Sequence, residues 1–97
     1  MLICKVTGTL VATRKEPTLD GLKLLVVRPC DVKGDAVGAA LIAADAVGAG
    51  LHELVLIAQG SSARQTVATK DRPVDAVIMA IVDTLALGDE VTFQKVT

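Results

Sequence analysis

The feature that most constrains this chain is a series of short aliphatic segments, most of which end at glycine, proline or aspartate. They are rich in Val, Ile and Leu, and the first and last of them alternate side chains with the period of two that a β-strand requires. We therefore predict strands over residues 2–11, 22–28, 39–44, 51–58, 77–87 and 91–96.

Two short helices complete the predicted secondary structure. Residues 61–65 begin with a serine that can cap helical N–H groups, and Pro73 suits the first turn of a second helix near Asp75. A mainly β chain of this kind favours a small closed barrel of five or six strands, because closure removes the exposed edges of the sheet. The alternative is a doubly wound α/β fold in which residues 36–44 and 74–87 form helices.

The length and the aliphatic content predict one small domain that assembles with copies of itself. The 97 residues fit a single domain over 1–97, in which residues 88–97 form a C-terminal strand or arm. Hydrophobic residues make up 52% of the chain although aromatics make up only 1%, so the core must be aliphatic. Because obligate interfaces resemble a core cut in half, part of this apolar surface is expected to lie between subunits.

Charge and hydropathy exclude several classes of partner. The net charge of −1 gives no basic surface for the phosphates of a nucleic acid. No apolar run approaches the ~18 residues of a membrane span, and the N-terminus lacks the features of a signal peptide, so we predict a cytoplasmic protein. Cys4 and Cys30 have no CxxC partner, which predicts free thiols rather than a zinc site; no role for them follows from the sequence.

Tests for catalysis and cofactor binding give no site. His52 is the single histidine, and the candidate nucleophiles Ser61 and Ser62 lack the Gly-x-Ser-x-Gly elbow. Gly48 and Gly50 form a Gly-x-Gly pair, but the third glycine of a dinucleotide fingerprint is missing. We therefore expect no enzyme activity, no cofactor and no metal.

Three aspartates have structural explanations. Asp45 precedes a glycine turn, Asp75 lies where a carboxylate favours a helix N-terminus, and Asp83 interrupts a strand predicted to be buried. A buried carboxylate needs a donor, and the planar guanidinium of Arg64 binds carboxylates well. We predict that Arg64 pairs with one of the three aspartates, within a subunit or between subunits.

Several short motifs, taken together, resemble one protein family. They are VTGTLVATRK (6–15), LDGLKLLVV (19–27), DAVGAG (45–50), GSSAR (60–64), PVDA (73–76) and IVD (81–83). In this order and spacing the chain resembles the EutN/CcmL family, the vertex proteins of bacterial microcompartment shells. The resemblance extends from about residue 4 to residue 87.

The resemblance implies a barrel related to the oligonucleotide-binding fold that assembles into a cyclic homopentamer. Such a pentamer would fill the fivefold corners of a shell whose facets are hexagonal shell proteins, inside the cytoplasm. The residues implied at the subunit interface or central opening are Gly60, Ser61, Ser62 and Arg64, with Gly48 and Gly50 as a second set. One competing function is a barrel that binds a small ligand or single-stranded nucleic acid, which is disfavoured because Phe93 is the single aromatic residue. The other is an enzyme or regulatory subunit that uses Ser62, His52 and an aspartate.

Overall fold

Seven strands and two single 3-10 turns make up the structure, a computed structural model that describes residues 1–96. The strands are β1 (Leu2–Leu10), β2 (Leu24–Pro29), β3 (Leu41–Asp45), β4 (Leu54–Gln59), β5 (Ala76–Ile81), β6 (Thr84–Leu87) and β7 (Glu90–Gln94). The 3-10 turns cover Pro17–Leu19 and Gly60–Arg64.

The first five strands close into a barrel. Their order around it is β1-β2-β3-β5-β4, and β4 returns to pair with β1. All neighbours are antiparallel except β3 and β5, which run parallel. Each barrel strand thus has a partner on both sides, which leaves no open sheet edge in the barrel. The predicted mainly β barrel is confirmed, and the α/β alternative is wrong because its two proposed helices contain strands β3, β5 and β6.

Alternating side chains from all five strands fill the barrel interior. Cys4 and Val6 of β1, Val27 of β2, Ile57 of β4 and Ile78 of β5 are fully buried in one cluster. The core is aliphatic, as the composition predicts. It therefore depends on close packing of small branched side chains, without the large area that an aromatic ring would bury.

A second apolar cluster lies on the outer wall of the barrel. Ala44, Ala58 and Val77 come from three adjacent strands, and Ala63 and Val74 cover them. The segment between β4 and β5 is therefore packed onto the barrel rather than projecting as a free loop.

The strand predicted over residues 77–87 is divided in two. β5 ends at Ile81, and the amide of Val82 donates to the carbonyl of Leu54 at 2.8 Å before β6 begins at Thr84. Asp83 lies between the strands and is exposed, so its predicted position inside a buried strand is wrong. The chain leaves the barrel here because β4, the partner of β5, begins at Leu54 and offers no further residues for pairing.

The helix predicted near Asp75 does not form. Residues 73–75 make a bend, and Ala76 pairs directly with Gln59 to begin β5. The Asp75 carbonyl accepts a hydrogen bond from the Gly60 amide at 2.8 Å. That bond ties the chain into the sheet and leaves no room for a helical turn before β5.

β6 and β7 form a hairpin that pairs with no barrel strand. Its two-residue turn begins with Gly88 at φ 57°, the geometry of a type II′ hairpin loop. Every residue from 86 to 91 is exposed, and the molecule is 46 Å long but only 25 and 23 Å across. No helix within residues 1–96 is long and apolar enough to cross a membrane.

Candidate assembly surfaces

The predicted residues Gly60, Ser61, Ser62 and Arg64 form one 3-10 turn directly after β4. Gly60 has φ 64°, a left-handed conformation that glycine adopts without a Cβ penalty. At the end of the turn, Nη1 of Arg64 donates to the carbonyl of Val74 at 3.2 Å. The turn is therefore held against the segment that leads into β5.

Thr69 stabilises this turn through its side-chain hydroxyl. Its side chain is fully buried, and its Oγ1 donates to the carbonyl of Ala63 at 2.6 Å. A second hydroxyl, Oγ1 of Thr66, lies 2.7 Å from Oγ1 of Thr69. Neither threonine was predicted from the sequence, because two hydroxyl residues three apart in a polar segment have no distinctive pattern.

The same turn exposes its serines beside a groove of mixed polarity. Ser61 and Ser62 are exposed, and a groove of about 420 Å³ is lined by Met1, Ala58 and Met79 together with the polar residues Gln59, Ser62 and Gln65. Met1 is 83% exposed. In the single subunit this surface combines serine hydroxyls with exposed methionine side chains.

The predicted pairing of Arg64 with an aspartate does not occur within the subunit. Among residues 1–96 the ion pairs are Lys15–Asp20, Lys23–Asp45 and Lys95–Glu53. Asp75 and Asp83 are exposed, and Arg64 uses a backbone carbonyl instead. Pairing between subunits stays a prediction.

Asp45 organises the turn that contains Gly48 and Gly50. Its Oδ1 accepts from the amides of Val47 and Gly48 at 3.0 and 3.1 Å, and its Oδ2 accepts from the amide of Ala49 at 2.9 Å. Gly48 has φ 79°, which a side chain would strain. Asp45 is therefore the structural centre of this turn, as the pattern of aspartate before glycines predicts.

Lys23 completes the environment of Asp45. The Asp45 side chain is only 2% exposed, and Nζ of Lys23 lies 3.6 Å from its Oδ2. The same ammonium donates to the carbonyl of Ala49 at 3.2 Å. Lys23 was not among the residues predicted for this site, since it is distant in sequence and only the barrel brings β2 beside β3.

Glu53 connects the glycine turn to the end of the hairpin. Its Oε1 accepts from the Gly50 amide at 2.6 Å, and its Oε2 lies 2.7 Å from Nζ of Lys95. The hydrogen bond from Lys95, followed by that from Gly50, lowers the pKa of Glu53 below 4.5. The same pair raises the pKa of Lys95. The backbone adds a further link, because the Lys95 amide donates to the Asp83 carbonyl at 2.7 Å.

Replacing Glu53 with Gln is expected to loosen this attachment of the chain after β7. Hydrogen exchange at the Lys95 amide should become faster at pH 7, whereas exchange in the barrel strands should not change. In the unmodified protein the contribution of the Glu53 carboxylate is present above pH 4.5 and is lost as the pH falls through its lowered pKa. Asp35→Asn, at an exposed carboxylate in another loop, is the control; equal exchange rates in both variants would contradict the prediction.

A second exposed apolar surface lies on the outer face of β2 and β3. Val26 is paired with Ile42 and Leu24 with Ala44, and Ile42 is 40% exposed. Beside them, Leu19, Leu24 and Val74 contribute to an apolar groove of about 190 Å³. This surface and the groove beside Ser62 share no lining residue.

The candidate catalytic residues lie far apart. His52 precedes β4 and Ser61 and Ser62 follow it, so the six residues of the strand separate them. At about 3.3 Å per residue this is roughly 20 Å, well beyond the reach of a proton transfer. A triad built from these residues is therefore excluded by the fold.

Both cysteines are free thiols, as predicted. In the ladder between β1 and β2, Cys4 lies opposite Pro29 and points into the core. Cys30 is the residue after Pro29, and its amide donates to the carbonyl of Ile3. Because successive side chains point to opposite faces of a sheet, the two thiols face apart. Burial, followed by the nearby Cys30, raises the pKa of Cys4 to about 11, so its thiol stays protonated and unreactive at neutral pH.

A known protein family matches most of this chain. The profile of the EutN_CcmL family, described as ethanolamine utilisation protein EutN/carboxysome, matches residues 1–83. The chain belongs to the EutN/CcmL family, and the resemblance drawn from its motifs is confirmed.

The sequences of several known proteins align with this chain over nearly its whole length. The carboxysome shell vertex protein CcmL of Nostoc sp. (strain PCC 7120) is 46% identical, over 98% of this chain and 95% of the relative. The bacterial microcompartment shell vertex protein EutN of Salmonella typhimurium is 40% identical, over 98% of this chain and 96% of the relative.

Solved structures of similar proteins superpose closely on this chain. That of Nostoc CcmL superposes with a TM-score of 0.92 at 46% identity, covering 98% of this chain and 100% of the other. The GrpN pentameric microcompartment shell protein from Rhodospirillum rubrum has a TM-score of 0.81 at 41% identity, with 90% and 99% covered.

Proposed function

We propose that this chain is a structural shell protein whose pentamers occupy the fivefold vertices of a bacterial microcompartment. The observation that carries the proposal is its similarity, over nearly its full length, to relatives named as shell vertex proteins. The similarity to a pentameric shell protein at a TM-score of 0.81 supports the number of subunits. The protein would act in the cytoplasm, in contact with the hexagonal shell proteins that form the facets.

The surface of the single subunit suits a closed ring. A head-to-tail ring requires two different patches on each subunit, one facing each neighbour. The groove beside Ser62 and the outer face of β2 and β3 are two such patches, with no residue in common. Neither patch contains a convergent set of acid, base and nucleophile, so we propose a role in assembly and none in catalysis.

The native mass tests this proposal directly. Five chains of 10.0 kDa give a particle of about 50 kDa, which native mass spectrometry or light scattering would measure. We expect this mass at micromolar concentrations of the full chain. A strictly monomeric chain at high concentration would overturn the proposal, since a vertex requires a closed ring.

Replacing Arg64 with Ala is expected to weaken the ring while the subunit stays folded. Within the subunit Arg64 makes one hydrogen bond, to the carbonyl of Val74, and it is otherwise exposed. Arginines at the centre of interfaces often contribute more than 1.4 kcal/mol, so we expect the concentration for half assembly to rise about tenfold or more. Lys70→Ala, at an exposed cation nearby, is the matched control and should leave assembly unchanged. An unchanged mass profile for Arg64→Ala would remove Arg64 from the interface.

A further inference from the structure

The outer half of the C-terminal hairpin is a surface without a partner in the single subunit. This hairpin tip, residues 86–91, exposes Leu87 by 57% and Val91 by 54%. Leu87 pairs with Glu90 across the hairpin, so these two side chains share one face, whereas Val91 lies on the other face. Neither Asp89 nor Glu90 forms an ion pair among residues 1–96. A two-stranded hairpin alone is marginally stable in water. A tip with this exposure and charge is suited to a partner that is apolar and carries positive charge.

A surface with the complementary properties lies at the junction of β1 and β2. It is a groove of about 410 Å³, here called the lysine groove, lined chiefly by Leu10, Val11, Lys15, Leu22, Lys23 and Leu24. Val11 is 87% exposed, so nothing covers the groove in the single subunit.

Both lysines can accept a further carboxylate partner. The Lys23 side chain is 57% exposed, whereas its partner Asp45 is buried and already accepts three backbone hydrogen bonds. Lys15 lies 3.8 Å from an Asp20 side chain that is itself 69% exposed, a weak surface pair. The groove thus offers two ammonium groups beside an aliphatic floor.

We propose that the hairpin tip of one subunit docks in the lysine groove of the next copy of this chain. Leu87 would pack on the leucines and Val11. Glu90 on the same face, with Asp89 in the adjoining turn, would meet Lys15 and Lys23. Charge complementarity selects this occupant, because the two acids and two lysines match on two apolar surfaces of one chain. Since tip and groove are different patches, repeating the contact produces a head-to-tail ring. The inference rests on the proposed pentamer and names one of its contacts.

A charge-swap experiment tests the contact in the full chain. Glu90→Lys, and separately Lys15→Glu, should each raise the concentration for half assembly at least tenfold, because each places like charges together; Lys23 is left unchanged because it pairs with the buried Asp45. The chain with both substitutions should recover most of that loss, since the charges again match. Asp35→Lys, an exposed acid in another loop, is the control for net charge.

Leu87→Asp is a second variant that does not depend on Lys23, which also supports the Asp45 turn. Leu87 is exposed near the end of the hairpin, so the barrel should fold normally while assembly weakens by at least tenfold. The inference is overturned if Glu90→Lys and Leu87→Asp both form the wild-type ring, or if Glu90→Lys and Lys15→Glu together restore nothing. Those results would contradict this contact but not the pentamer. A monomeric wild-type chain would contradict the proposed function itself.

Discussion

Replacing Ile57 with Ala is expected to lower the free energy of unfolding by about 3–4 kcal/mol, the range for an aliphatic side chain deleted from a packed core. Ile57 is fully buried, and it pairs with Leu2 on one side and with Ile78 on the other. The cavity would open at the meeting point of three barrel strands, where no aromatic ring is available to move into it. For a domain of this size the loss corresponds to a melting temperature lower by roughly 15 °C.

Ile42→Ala is the matched control, because it removes the same atoms from the outer face of β3, where the side chain is 40% exposed. We expect less than about 1.5 kcal/mol of destabilisation in the isolated subunit. Both variants should be unfolded by urea at a protein concentration low enough for the subunits to be separate, because Ile42 lies on a surface proposed for assembly and assembly adds stability that depends on concentration. Equal losses in the two variants would mean that the barrel interior is not the main core.

Replacing Asp45 with Ala is expected to lower the free energy of unfolding by about 3 kcal/mol. The variant loses the acceptor for three backbone amides and leaves the Lys23 ammonium without its partner. Hydrogen bonds to a charged group are the strong kind, and buried amides without an acceptor are destabilising. Thermal unfolding would measure the loss, and hydrogen exchange should show the amides of residues 47–49 losing protection.

Asp35→Ala is the control for Asp45, because Asp35 is exposed and its carboxylate accepts no hydrogen bond among the described residues. That variant should change stability by less than about 0.5 kcal/mol. If Asp45→Ala were equally mild, the turn would be held by Gly48 and the strands alone, and the carboxylate would be dispensable.

Predictions from the sequence succeeded where the signal is local. The alternation in residues 2–11 gave β1, and the serines after Gly60 gave the turn at Gly60–Arg64, although it is 3-10 rather than α-helical. Aspartate before glycines identified the Asp45 turn, because the side chain bonds to amides only two to four residues away. The family motifs gave the barrel for the same reason, since they consist of such local turns at characteristic spacings.

The failures concern partners distant in sequence. No pattern shows that Lys23 reaches Asp45 or that Lys95 reaches Glu53, because both pairs exist only once the barrel and hairpin have formed. The continuous apolar run from residue 77 to 82 gives no sign that the strand ends before Asp83. It ends there because β4, its partner in the barrel, begins at Leu54. The absent helix near Asp75 has a similar cause: pairing of Ala76 with Gln59 overrides the local preference of Pro73 for a helical start.

The parallel contact between β3 and β5 has a consequence for how the chain folds. The strands joined antiparallel in succession, β1 with β2 and β2 with β3, can form from near neighbours in the chain, whereas β3 meets β5 only through Ala44 with Val77 and Asp45 with Ile78. Closing that long loop carries an entropic penalty before any contact repays it. The pairing of β1 with β4 joins segments still farther apart in the chain, but it runs over four residue pairs, whereas β3 and β5 share only two. We therefore expect the β3–β5 seam, which repays its loop entropy least, to close late in folding, beside the buried Asp45 turn and before the subunit joins a ring.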